Sequence, residues 1–98
     1  MGLRPHEFEW DMAKEAVNVI KHGVDFSAAQ LAFADPRRVL AEDLSHRQGE
    51  DRFYCMGRVG GEVLTVRFTV RGDKIRIIGA GYWRKGRKEY EKANATHG

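Results

Sequence analysis

Three arginines, one phenol and a few proton carriers are the side chains of this sequence whose types and spacing suit chemistry. Arg52, Arg67 and Arg76 fall on neighbouring strands of the stretch RFYCMGRVGGEVLTVRFTVRGDKIRIIGAGY (residues 52–82), with Tyr54 among them. Guanidinium suits bidentate contact with phosphate, and a phenol stacks on a base or hydrogen-bonds a phosphate. His22, His46 and Glu50 are candidates for moving a proton, and Lys14 adds charge. Cleavage of RNA without a metal needs these roles. The attacking 2′-hydroxyl loses a proton, the leaving 5′-oxygen gains one, and cations surround the phosphate. The alternative is a solvated sheet face whose arginines pair with surface carboxylates, an arrangement that contributes little. Composition alone does not choose between them, since small basic proteins commonly contain such a set.

The elements that would position these groups follow from the glycines. Gly60-Gly61 and Gly72-Asp73 are two-residue pairs suited to primed hairpin turns, where positive φ is needed. Counting outward from them predicts that Val59 faces Glu62, Cys55 faces Val66 and Phe53 faces Phe68. On the next hairpin Val70 faces Ile75, Phe68 faces Ile77 and Val66 faces Gly79. These residues share one face and form the core, because side chains alternate with period two. The opposite face then carries Arg52, Thr69 and Arg76 in one cross-strand row and Tyr54, Arg67 and Ile78 in the next. Like charges at that spacing repel unless an anion lies between them.

Ahead of this sheet, Phe8-Glu9-Trp10 reads as a brief strand and Asp11 as the N-cap of a helix, with Glu15 in its first turns. Ala13, Ala16, Val17 and Ile20 form one amphipathic stripe beside the polar stripe Lys14, Asn18 and Lys21, and Gly23 ends the helix. His22 has a structural reason to stand in that last turn, where cations suit the helix dipole. Phe26, Ala29 and Phe33 mark a shorter helix with Ser27 near its start and Asp35-Pro36 closing it. A strand runs between Arg38 and Leu44, and residues 45–51 form a polar loop. Gly79-Ala80-Gly81 ends the sheet, and a basic helix follows Trp83. The expected fold is α+β: a short N-terminal strand, two helices, a four-stranded antiparallel sheet with helices on one face, and a C-terminal helix.

With 98 residues and a formal charge of +3, the chain is one mildly basic domain, residues 1–98, able to meet a polyanion. Cys55 is the only cysteine, so no intrachain disulfide forms, which fits a reducing cytoplasm. No apolar run has the length of a membrane span, and no signal-peptide core is present. The four histidines have no zinc-ligand spacing, and the glycines lack the helix pattern of a phosphate-binding loop. No metal ligand and no cofactor are expected. Arg71-Gly72-Asp73 reads as a turn.

The block Phe8-Glu9-Trp10-Asp11, Lys14, Asn18, Lys21-His22-Gly23-Val24 and Phe26 resembles the opening signature of the BrnT toxin family. The resemblance continues through Ala29, Phe33, Asp35-Pro36, Glu42-Asp43, His46, Glu50, Arg52 and Gly57-Arg58. It ends in Arg71-Gly72-Asp73, Arg76-Ile77-Ile78 and Tyr82-Trp83-Arg84-Lys85. It implies a RelE-like fold and a ribonuclease toxin of a type II toxin–antitoxin module, which blocks translation and is held inactive by a BrnA-type antitoxin. DNA would be met only through that antitoxin. Many members carry Ser-Ala-Arg where this chain has Gly79-Ala80-Gly81, so no role is carried over from that segment. The candidate catalytic residues are His22, Glu50, Arg67 and Arg76. Those for holding RNA are Lys14, Lys21, Arg52, Tyr54, Arg84 and Lys85. The competing reading is a toxin-like module that binds RNA or antitoxin without cutting.

Overall fold

The structure is a computed structural model, and it describes residues 7–44 and 49–95. Strands β3 (Arg52–Val59), β4 (Glu62–Arg71) and β5 (Lys74–Gly81) follow one another through two-residue turns. Gly60, Gly61 and Gly72 take φ of 61°, 90° and 62°, the left-handed conformation for which glycine has no Cβ penalty. The register is as the turns predict for Phe53–Phe68, Cys55–Val66, Val59–Glu62, Phe68–Ile77 and Val70–Ile75. Beyond Arg67 and Phe68 a bulge shifts the β4–β5 ladder, so Arg67 faces Gly79 and Val66 faces Ala80. The expected Val66–Gly79 pair and the Tyr54–Arg67–Ile78 row are therefore corrected. Ile78 is the inserted residue, and a bulge re-aims the side chains beside it.

The sheet has five strands and is mixed, in the order β1-β5-β4-β3-β2. β1 (Glu7–Trp10) runs parallel to β5, and β2 (Val39–Asp43) runs antiparallel to β3. The class is α+β, but the four-stranded antiparallel sheet and the one-sided helices are not what forms. Helix α2 (Phe26–Gln30), capped by Asp25, and a 3-10 turn (Leu31–Ala34) cover one face. There Phe26, Ala29 and Ala32 pack with Cys55, Leu64, Val66, Phe68 and Ile77. Helix α3 (Arg84–Ala95) covers part of the other, where Tyr90 packs on Met56 and Val63. Gly57 admits the first layer, because a Cβ there would overlap the Ala32 carbonyl; Gly86 admits the second against the Thr65 side chain.

Asp35 ties the layers together. Its carboxylate accepts from the Arg58 N–H at 2.7 Å, the Tyr90 hydroxyl at 2.7 Å and the Arg37 N–H at 2.8 Å. Burial disfavours its charge, but these hydrogen bonds outweigh burial and hold its pKa below the ordinary value. A folded-state pKa below the unfolded one stabilises the fold above the ordinary carboxyl range, and that contribution is lost as the pH falls through the folded value. Urea unfolding at about pH 5 and about pH 2.5 should thus differ less for Asp35→Asn than for the parent.

Helix α1 (Met12–His22) reverses the expected orientation. The stripe Ala13, Ala16, Val17 and Ile20 faces solvent, and the buried residue is Asn18. β1 ends beside Ile77, so the edge of β5 is open beyond it, and Asn18 takes the place of a strand partner. Its Nδ2 donates to the Ala80 carbonyl at 3.0 Å and to the Val24 carbonyl at 2.9 Å, while its Oδ1 accepts from the Ala80 N–H at 3.1 Å. Glu15 anchors the same side, accepting from the Trp10 indole at 3.2 Å and the Phe26 N–H at 2.8 Å. Asn18→Leu leaves the Ala80 backbone groups unpaired, and a loss of about 2–3 kcal/mol is expected in denaturant unfolding.

Candidate functional site

Because α1 is held at the edge of β5, a cleft opens between the helix and the sheet face bearing Arg67. Its volume is about 490 Å³, in the range of small-ligand sites. Lys14, Lys21 and His22 enter from α1, Arg52 and Arg67 from the sheet, and Trp83 closes the far side. Ala13, Val17, Asn18, Ile78 and Gly79 complete the wall. Among the described residues no carboxylate lines this cleft, so lysines and arginines converge on it without an acid in its wall.

Arg67 is the centre of the arrangement. It lies between Tyr54 on β3 and Gly79 on β5. Gly79 lies beside the guanidinium, where a Cβ would make an ordinary contact of 3.9 Å with the Arg67 Nε. That nitrogen is buried and has no hydrogen-bond partner among the described residues. A buried donor without a partner is costly, and Arg67 is at the same time a wall residue of the cationic cleft. The β-bulge has a direct effect here: it sets glycine rather than Ile78 opposite Arg67.

Trp83 was not among the candidate site residues, yet it joins this cleft to the next one. Gly81 lets its ring lie against the strand, because a Cβ there would sit 2.6 Å from the indole. His22 meets the ring edge-on, with centroids 5.2 Å apart. On the other side of Arg67 and Trp83 lies a second hollow of about 440 Å³, lined also by Tyr54, Met56, Thr65, Lys85, Glu42 and Glu89. Burial and the hydrogen-bonded Asp43 carboxylate raise the Tyr54 pKa, so its hydroxyl keeps its proton at neutral pH. The spacing Gly81-x-Trp83 is the sequence signal that could have singled out the indole.

The remaining candidates stand elsewhere. Arg76 pairs with Glu9 of the neighbouring strand at 3.3 Å, so its charge is already met as a surface pair. Glu50 is gripped by Arg71 at 2.6 and 3.2 Å, and that hydrogen bond holds its pKa below the ordinary value. Arg84 lines a third hollow with Arg58, Glu62 and Arg87. His46 lies outside the described residues. The Cys55 thiol is buried, and burial pushes its pKa up to about 12, so it supplies no thiolate at neutral pH. Among the described residues no group of three His, Cys, Asp or Glu side chains could hold a metal ion. No described helix is long and apolar enough to cross a membrane.

A family profile described as "Ribonuclease toxin, BrnT, of type II toxin-antitoxin system" matches residues 10–87. The chain belongs to the BrnT family. No curated protein matches it. The matched span of this BrnT chain contains every wall of the cationic cleft, from Ala13 and Lys14 on α1 to Trp83. Membership implies an RNA target and an antitoxin partner.

Proposed function

We propose that this chain is an endoribonuclease that seats the scissile phosphate in the cleft between α1 and the sheet and cleaves without a metal, so inhibiting translation. The observation that carries the reading is the convergence of Arg67, Arg52, Lys14, Lys21 and His22 on one cavity with no acid among its described lining residues. Arg67 and Arg52 bind the non-bridging oxygens, and the two lysines help neutralise the charge that builds on those oxygens in the pentacoordinate transition state. The 2′-oxygen forms the new bond to phosphorus as the bond to the 5′-oxygen breaks. The 2′ proton leaves to a base, and the 5′-oxygen takes one from an acid.

His22 is the proton carrier in the cleft wall, and imidazole is the side chain whose ordinary pKa lies nearest neutrality. Glu50, bound to Arg71, is less suited to the task, and Arg76, bound to Glu9, steadies the sheet face. The base next to the cleaved bond lies against Trp83 and Tyr54 in the second hollow, where Lys85 meets the following phosphate. Arg84, in the third hollow, continues the cationic track. A BrnA-type antitoxin, which alone contacts DNA, holds the enzyme inactive in a cytoplasmic hetero-oligomer. The fold is read as RelE-like.

Single-stranded RNA incubated with the purified protein in excess EDTA tests this. Products ending in a 2′,3′-cyclic phosphate, and their loss in His22→Ala, are expected. Cleavage that EDTA abolishes would overturn the metal-independent mechanism. Intact RNA bound by a folded protein would move the reading to a module that binds without cutting.

A further inference from the structure

A helix packed on a globular protein normally buries its apolar side. α1 does the reverse. Met12, Val17, Val19 and Ile20 are 78%, 50%, 43% and 85% exposed, and Ala16 lies among them. At 100° per residue these positions make one broad face, while Asn18 and Glu15 on the opposite side hold the helix to the sheet and to α2. The reversal is fixed by those hydrogen bonds, so the helix cannot roll its apolar side inward without unpairing Ala80 and Phe26. The exposed face is about 16 Å long for 11 residues, enough for a few turns of another helix.

The charge around this face identifies what covers it. Its border on the sheet side is Lys14 and Lys21, and Ala13 and Val17 belong both to the face and to the wall of the cationic cleft. No free acid borders it from α1 itself, since Glu15 is engaged by Trp10 and Phe26. A second copy of this chain, laid α1 against α1, would bring lysine rows together. An amphipathic helix carrying acids beside its apolar stripe meets both surfaces at once.

We propose that the outward face of α1 docks an acidic amphipathic helix of the antitoxin, which thereby lies across the mouth of the cationic cleft and closes it to RNA. This rests on the reading of the chain as a toxin with an antitoxin partner. Apolar anchors of the partner sit on Met12, Ala16 and Ile20, and its carboxylates reach Lys14 and Lys21. RNA and partner then compete for the same lysines, which makes inhibition a matter of overlap rather than of a shape change.

The probe is the protein encoded beside this gene, purified and titrated onto the full chain and onto Ile20→Asp. Ile20 lies outside the cleft wall and is 85% exposed, so the variant should fold and cleave RNA as the parent does. The expected result is at least about a thirtyfold loss of affinity and a matching loss of inhibition, because an anchor is replaced by a like charge. Met12→Asp provides the independent second variant. Unchanged affinity in both would overturn the proposal, as would a parent chain that fails to bind the probe. A parent that is dimeric alone and becomes monomeric with Ile20→Asp would overturn it in favour of a second copy. If the parent binds the probe but cuts no RNA, and Ile20→Asp loses the probe, the docking stands while the nuclease reading fails.

Discussion

Arg67→Met is expected to reduce RNA cleavage about a hundred- to a thousandfold while leaving the fold at least as stable as the parent. Methionine keeps the aliphatic length that packs between Tyr54 and Gly79 but removes the guanidinium. On the proposed reading, the lost rate is that of a donor meeting the charge that develops on the phosphoryl oxygens. The stability side comes from the Nε, which is buried without a partner among the described residues, so deleting it removes a cost. Single-turnover cleavage and thermal melts on the same preparation separate the two effects. Loss of both activity and melting temperature would make Arg67 a structural residue and remove it from the site.

Gly57→Ala is expected to produce the largest loss of stability. Its added Cβ would overlap the backbone carbonyl of Ala32 in the 3-10 turn, and backbone on both sides leaves no flexible side chain to give way. The turn must lift off β3, taking Ala32 and Phe33 out of the core they share with Phe68. About 3 kcal/mol or more should be lost, corresponding to a fall of about 12–25 °C in the melting temperature for a domain of this size. Calorimetry of the variant checks this. A melting temperature within a few degrees of the parent would show that the turn yields easily.

Much of the sheet was legible because glycine pairs are local signals. Gly60-Gly61 and Gly72-Asp73 set the hairpin registers by counting, and Asp11 and Gly23 bounded α1 where they cap it. What failed was decided at a distance. The bulge at Ile78 leaves no mark in a strand whose neighbours are all plausible, and it moved Gly79 under Arg67. The parallel pairing of β1 with β5 joins residues 67 apart in the chain, as in Glu9 with Arg76. Helix periodicity identified the two sides of α1 correctly but assumed that the apolar one packs inward. The open edge of β5, which only an amide reaching both Ala80 groups could fill, decided otherwise.

The site shows the same division. Residue type picked out Lys14, Lys21, His22, Arg52 and Arg67, and the fold brings those five to one cleft. Residue type could not show that Arg76 and Glu50 meet partners on adjacent elements, because their pairing depends on which strands are neighbours. Residue type does not mark Trp83, because a tryptophan at the start of a helix most simply docks that helix, and only the fold shows it lining the cleft.

The pairing of β1 with β5 also bears on when the cleft comes into being. During synthesis the N-terminal segment emerges first, yet β1 and Asn18 have nothing to dock on until Lys74–Gly81 has been made. The cleft needs α1 at one end of the chain and Trp83 near the other, so a nascent chain carries its lysines and arginines without assembling them. A truncated product ending before β5 would lack the cleft altogether. On the proposed reading, a chain whose β5 has not yet emerged lacks the assembled site.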